Sequence, residues 1–159
     1  MRARILKIVL VSVVASLSTP TLAEVTVKDA WVRATPGNAK VTAAYAVLVN
    51  TGAADDVLIG VSALSAGMAH LHASEGKDGV MRMDSVEKLP IPAKKEVALA
   101  PGNYHVMIMG LKAPLKVGEE IPLTFSFQHQ GDVDVKAKVM PLAYQGVEGS
   151  MPVSHEHHK

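Results

Sequence analysis

LTFSFQHQGDVDVKAKV, residues 123–139, alternates apolar and polar side chains on both sides of a turn. Leu123, Phe125 and Phe127 point one way, while Thr124, Ser126 and Gln128 point the other. After Gln130-Gly131-Asp132 the pattern resumes, with Val133, Val135, Ala137 and Val139 inward and Asp134, Lys136 and Lys138 outward. Successive strand side chains face opposite sides, so two such runs joined by a Gly-containing turn predict a half-buried antiparallel hairpin.

The rest of the chain repeats this pattern in shorter runs. Expected strands are Val25–Val27, Ala30–Arg33, Thr42–Asn50, Val57–Ala63, Ala69–Ala73, Val80–Val86, Val97–Leu99 and Tyr104–Met109, with Leu123–Gln128 and Val133–Met140 forming the hairpin. Turn signals separate them: Pro36-Gly37, Asn50-Thr51-Gly52, Lys77-Asp78-Gly79, Pro101-Gly102-Asn103 and Gly118. Leu64–Met68 has room for no more than a turn, and no amphipathic helix or internal repeat is visible. Many short strands without helices predict an all-β fold, a Greek-key sandwich or small barrel.

A length of 159 residues fits one such domain. The chain opens like an exported protein, with a basic start (Arg2, Arg4, Lys7), an apolar run over residues 8–17 and Thr21-Leu22-Ala23 before Glu24. That run is about ten residues, short of the ~20 that a spanning helix needs. The expected organisation is a cleaved signal peptide over 1–23, a β domain over 24–144 and a flexible His-containing tail over 145–159. No membrane span is expected after cleavage. Losing three basic and no acidic residues takes 16 Lys+Arg to 13, against 15 Asp+Glu, a net charge of −2. A chain so near neutrality gives no reason to invoke nucleic acid as a partner. Zero cysteines exclude a disulfide framework.

Histidine and methionine crowd the middle of the chain. Met68, His70 and His72 alternate, then Met81 and Met83, then His105, Met107 and Met109, so each group lines one face of its own strand. A methionine in a β-rich domain usually fills core, and a lone strand histidine is usually hydrogen-bonded or exposed. Clustering argues against that here: residues 68–109 hold five of the seven methionines after residue 23 and three of the four histidines before the tail. Imidazole plus thioether, without thiolate, is a donor set for Cu(I), whereas zinc more often recruits thiolate or carboxylate beside histidine. A hairpin turn centred between Lys77 and Asp78 would set His72 opposite Met83, Ser74 opposite Met81 and His70 opposite Ser85. With His105 and Met107 from a third strand, His72 and Met83 would complete an N₂S₂ site. His70 is an alternative to His72. Met68, Met81 and Met109 are open between core packing and the site, and His129 reads as a surface residue beside a turn.

The gaps His72-x10-Met83-x21-His105-x-Met107 resemble the signature of the PCuAC family of periplasmic copper chaperones. So do Asp29-Ala30-Trp31-Val32-Arg33-Ala34, Ala44-Tyr45, Gly79-Val80-Met81-Arg82-Met83 and Pro101-Gly102-Asn103-Tyr104-His105-Val106-Met107. The resemblance runs from about Val25 to Pro141. It implies a cupredoxin-like Greek-key barrel, a periplasmic location, and His72, Met83, His105 and Met107 as Cu(I) ligands. It further implies copper delivery towards the CuA subunit of cytochrome c oxidase, alongside Sco-type thiol proteins. The chain departs from many members in having Ala73-Ser74-Glu75-Gly76 where a further methionine follows the first histidine. In the tail, Met151, His155, His157 and His158 are either a solvated polar end or a secondary site suited to Cu(II).

Enzymatic classes fit poorly. A blue-copper carrier needs cysteine, a copper oxygenase needs a histidine at the processed N-terminus, and no Gly-x-Ser-x-Gly elbow is present. The expectation is a non-enzymatic copper carrier. Copper sequestration without a dedicated recipient is the alternative, and an adhesive β-sandwich is the reading from another class.

Overall fold

Alternation of apolar side chains drives the assembly of ten strands, seen in a computed structural model that describes residues 24–77 and 80–146. In chain order they are β1 (Val25–Arg33), β2 (Val41–Asn50), β3 (Asp56–Ala63), β4 (Met68–Lys77) and β5 (Val80–Ser85), followed by β6 (Leu89–Ile91), β7 (Glu96–Leu99), β8 (Tyr104–Met109), β9 (Glu120–Phe127) and β10 (Gly131–Met140). The expected signal peptide, residues 1–23, and the tail beyond residue 146 lie outside the described residues. No described helix is long and apolar enough to cross a membrane.

The hairpin read from the sequence is β9–β10, with Phe125 opposite Val133 and Leu123 opposite Val135. Leu123, Phe125, Phe127, Ala137 and Val139 are buried as expected, while Val133 and Val135 are only half-buried near the turn. All strands belong to one sheet, ordered β5-β4-β8-β7-β2-β1-β10-β9-β3-β6. Because β3 also lies against β4, the sheet curls on itself into an open barrel. β2 is shared: Val41–Ala44 pair with β8, and Ala46–Val49 pair with β7. Two pairings are parallel: β7 with β8 at Leu99 and Tyr104, and β1 with β10, which is reached by a crossover and gives the barrel its Greek-key connectivity. Val25, Val32, Leu48, Leu58, Leu71, Ile91, Val106 and Ile108 join the hairpin's apolar face in the core.

Two local differences from expectation have physical causes. Val25–Val27 and Ala30–Arg33 form one strand, because the register shift between Lys28 and Trp31 is absorbed as a bulge at Asp29. Asp29 takes φ of 50°, a left-handed conformation that aspartate tolerates better than most residues. A short strand, β6, was not expected, since Pro90 sits in its middle. Proline is acceptable there because β6 is the sheet edge, where one side of the backbone needs no partner.

The start of β3 is tied to the β9–β10 turn by Asp56, a buried carboxylate. Its Oδ1 accepts from the backbone N–H of Val57 at 2.7 Å and of His129 at 2.9 Å, and its Oδ2 from Gln130 N–H at 2.8 Å. Burial pushes the carboxyl up, but these three donors and the nearby His129 ring outweigh it and hold the group below its ordinary 3.8. A lowered folded pKa means the stabilisation is complete above the ordinary value and is lost as pH falls through the folded one. Asp56→Ala should therefore cost roughly 3 kcal/mol at neutral pH, through three stranded donors. Denaturant unfolding of both forms should show that gap closing only at acid pH.

Candidate metal centre

The end of the sheet made by β5, β4 and β8 has two chemically distinct faces. Leu71, Val106 and Ile108 point into the core, each at most 7% exposed. The side chains that alternate with them, His70 and His72 on β4 and His105, Met107 and Met109 on β8, therefore line the outer face. Pairing between β4 and β8 sets His72 opposite His105, His70 opposite Met107 and Met68 opposite Met109. Directly opposed residues share a face, with Cβ atoms about 4.5–5.5 Å apart.

The expected hairpin register is corrected by two residues. His72 pairs with Ser85 rather than Met83, Ser74 with Met83 rather than Met81, and Met81 with Gly76. Lys77 pairs with Val80, and the Asp78-Gly79 between them lies outside the described residues. Asp-Gly is a favoured two-residue hairpin sequence, a signal that a centre between Lys77 and Asp78 overlooks. A shift of two preserves the facing of every side chain. Met83 thus stays on the face of His72 but moves to a diagonal position, where Cα atoms are about 7–8 Å apart.

The two imidazoles are brought together directly. Their ring centroids are 5.9 Å apart and the planes 23° from parallel, close enough for one ion to bond a nitrogen of each. His105 is 7% exposed, and its Nδ1 lies 3.2 Å from the carbonyl oxygen of Asn103. A carbonyl only accepts, so neutral His105 carries its proton on Nδ1 and its lone pair on Nε2. The same carbonyl accepts Ser74 N–H at 3.1 Å. It is presented by a tight turn in which Asn103 N–H bonds to Ala100 O at 3.0 Å and Gly102 adopts φ of +82°. Pro101-Gly102 at the two central positions suits that geometry. Fixing one ring nitrogen so that the other is free is how proteins orient a ligating histidine.

His72 is half-buried, and its Nδ1 is shut from solvent without a hydrogen-bond partner. Such an orphan costs free energy unless something bonds the ring. Met107 is half-buried on the next row of β8, beside the small Ala43 of β2. Met83 is 55% exposed on β5, an edge strand of the sheet. So His72, His105 and Met107 form a compact group, and Met83 reaches it diagonally from the rim. Among the described residues, no group of three His, Cys, Asp or Glu side chains converges. The donors gathered here are imidazoles and thioethers, which select a soft ion.

An aromatic wall that the sequence reading did not assign to the site closes one flank. Tyr45 lies 6.5 Å from the His105 ring, Trp31 stacks on Tyr45 at 4.3 Å, and Tyr144 meets Trp31 edge-on at 4.8 Å. The Arg33 guanidinium covers both Trp31 and Tyr45 at 5.8 and 5.6 Å, and its Nη1 donates to Leu142 O at 2.9 Å. Beyond Trp31 a groove of about 360 Å³ is lined by Asp29, Leu99, Pro101, Met140 and Tyr144 among others. It contains none of the His/Met array, which lies on the other side of the aromatic wall. His129 is exposed beside the β9–β10 turn, as expected of a surface residue, and acts on Asp56 through its backbone N–H and its nearby ring. Met151, His155, His157 and His158 lie outside the described residues.

The fold is that of PCuAC domains, cupredoxin-like barrels. The "Copper-bound PCuAC domain from PmoF2" superposes with a TM-score of 0.64 at 22% identity, covering 76% of this chain and 95% of that one. Apo-DR1885 from Deinococcus radiodurans gives a TM-score of 0.59 at 31% identity, covering 90% of this chain and 95% of that one. The chain belongs to the LpqE-like family, described as "Putative lipoprotein LpqE-like", whose model matches residues 25–139. It is 38% identical over 104 residues to "Putative lipoprotein Lxx21020" of Leifsonia xyli subsp. xyli (strain CTCB07), a match spanning 65% of this chain. The chain spans about three fifths of the length of the curated relatives it matches, 61% and 62%.

The Asn103 contact makes a spectroscopic prediction. Long-range ¹H–¹⁵N spectra of the metal-free protein above neutral pH should show His105 with Nδ1 protonated and Nε2 bare. The opposite tautomer would mean that the ring does not present Nε2 to the face.

Proposed function

We propose that this protein is a periplasmic Cu(I) carrier, not an enzyme, and that His72, Met83, His105 and Met107 are its ligands. One observation carries the reading. Two imidazoles stand 5.9 Å apart on an outer face, one with its Nδ1 tied back and the other with a buried Nδ1 lacking any partner, beside a half-buried thioether. The chemistry of that donor set matches a d¹⁰ ion that accepts tetrahedral coordination by soft ligands. The likeness to DR1885, solved also as "CuI-DR1885" at 31% identity, and to a copper-bound PCuAC domain supports it. Residues 1–23 then act as a cleaved export signal, 24–144 as the copper domain and 145–159 as a tail, with His155, His157 and His158 either a secondary Cu(II) site or part of a solvated polar end.

Copper here is cargo. Met83, on the rim, is the ligand a partner's sulfur or nitrogen replaces first, while His72, His105 and Met107 still hold the ion. Exchange continues one donor at a time within the docked pair, so copper never meets water as a free ion. The recipient in this reading is the CuA subunit of cytochrome c oxidase, with a Sco-type thiol protein acting alongside.

Anaerobic competition of the purified protein against a Cu(I) chelator should show stoichiometric tight binding. His105→Ala and Met107→Leu should each weaken it more than the roughly 100-fold that losing a group merely hydrogen-bonded to a ligand costs. Met107→Leu, a volume-conserving change at a half-buried position, should keep the unfolding free energy within about 1.5 kcal/mol of wild type. X-ray absorption of the Cu(I) form should count two sulfur and two nitrogen neighbours. Unchanged affinity in both variants would remove the assignment. A strain lacking the protein should show an oxidase defect that added copper rescues, whereas copper sensitivity alone would mean sequestration.

A further inference from the structure

The His/Met array is longer than one coordination sphere. Beyond the His72–His105 row lie the His70–Met107 row and then the Met68–Met109 row, all on the same face of β4 and β8. Four residues along a strand separate the first row from the third, about 13 Å, so one ion cannot serve both. Core packing does not account for the third row. Met68 is 56% exposed, His70 is exposed, and Ile108 and Leu71 fill the opposite face.

We infer that Met68, Met109 and His70 form a second Cu(I) site, two thioethers and one imidazole, from which the ion moves to the His72–His105 site through Met107. The backbone fixes this row. Gly67 N–H bonds to the carbonyls of both Met109 and Gly110, at 3.1 Å each, and locks the first residue of β4 against the last of β8. Gly110 has φ of +70°, a left-handed conformation that favours glycine, and this turn of the backbone brings its carbonyl and that of Met109 to Gly67 N–H. The Met68 and Met109 Cβ atoms are therefore held at the distance of a direct cross-strand pair, and their three-bond side chains can bring both sulfurs to one ion. His70 and Met107 lie one row, about 7 Å, further along. Val41, opposite Met109 and 50% exposed, gives the row an apolar rim.

Met107 is the one thioether adjacent to both sites, opposite His70 and next but one to His105 along β8. Movement of the ion is pure ligand exchange. Copper stays Cu(I), the incoming and outgoing donors are neutral thioethers and imidazoles, and no electron or proton changes place. The inference rests on the Cu(I) reading of this face but assigns residues that reading leaves idle.

Methyl-labelled methionine NMR during anaerobic Cu(I) addition separates the two ideas. The first equivalent should shift the Met107 and Met83 methyls, and further Cu(I) should shift those of Met68 and Met109. In the double variant Met68→Leu/Met109→Leu, a volume-conserving change, the first response should persist. Loading of the first site from a Cu(I)–chelator complex should slow at least threefold at unchanged final affinity. Met68 and Met109 methyls that stay unmoved by excess Cu(I), or an unchanged loading rate in the double variant, would overturn the second site while leaving the first intact. If Met107 and Met83 also stay unmoved, the copper reading itself fails.

Discussion

The register of β4 against β8 is the constraint on which the site depends. Side-chain facing has a period of two, so sliding one strand by a single residue would send every histidine and methionine of the array inward. The same slip would expel Leu71, or Val106 and Ile108, into water. Each of those apolar side chains is worth about 1.5–3 kcal/mol when buried, so the core holds the register without help from any ligand. His72 meets His105 because Leu71 meets Val106 and Ala69 meets Ile108. The donor array is thus a by-product of packing on the other face, and it exists before an ion arrives.

That arrangement separates stability from cargo. The interactions that hold the fold lie elsewhere: the apolar core, the Asp56 carboxylate bridging β3 to the β9–β10 turn, and Asn50, whose Nδ2 donates to Ala54 O and Ile91 O at 2.9 and 3.0 Å. None of them involves the outer face of β4 and β8. A structural metal would be expected to carry folding energy and sit in a closed cage. Here the donors run from buried His105 through half-buried His72 and Met107 to exposed Met83 on an edge strand, which suits the proposed reading of copper as cargo.

Much of the molecule was legible in the sequence because alternation is a local signal. The β9–β10 hairpin, the all-β class and the facing of each His/Met group follow from residues two apart. What was not legible depends on non-local partners or on fine turn chemistry. Nothing local says that β4 pairs with β8, whose residues lie some thirty positions away, so the decisive His72–His105 contact could not be derived from spacing. The β4–β5 register differs by two because Lys77 pairs with Val80, which moves the centre of the turn one residue beyond the expected point between Lys77 and Asp78. β6 escaped notice because Pro90 argues against a strand except at an edge, and edge position is a property of the finished sheet. Tyr45 and Trp31 were visible as shared words of a family, but their wall beside His105 requires β1, β2 and β8 to be side by side.

The two flanks of the site differ in a way that bears on how a partner approaches. Towards β2 and β1 the imidazoles meet Tyr45, then Trp31 and Tyr144, roofed by Arg33, whose Nη1 is pinned to Leu142 O. This side is rigid, since stacked rings and a tethered guanidinium leave little rotamer freedom. Towards β5 there is a single edge strand carrying Met83 and no further strand beyond it. On the proposed reading a docking protein meets stacked, tethered side chains on one side and an exposed thioether on the other. Exchange on the proposed reading therefore begins at the β5 edge, because that is where a donor can be displaced without disturbing a ring that the fold holds in place.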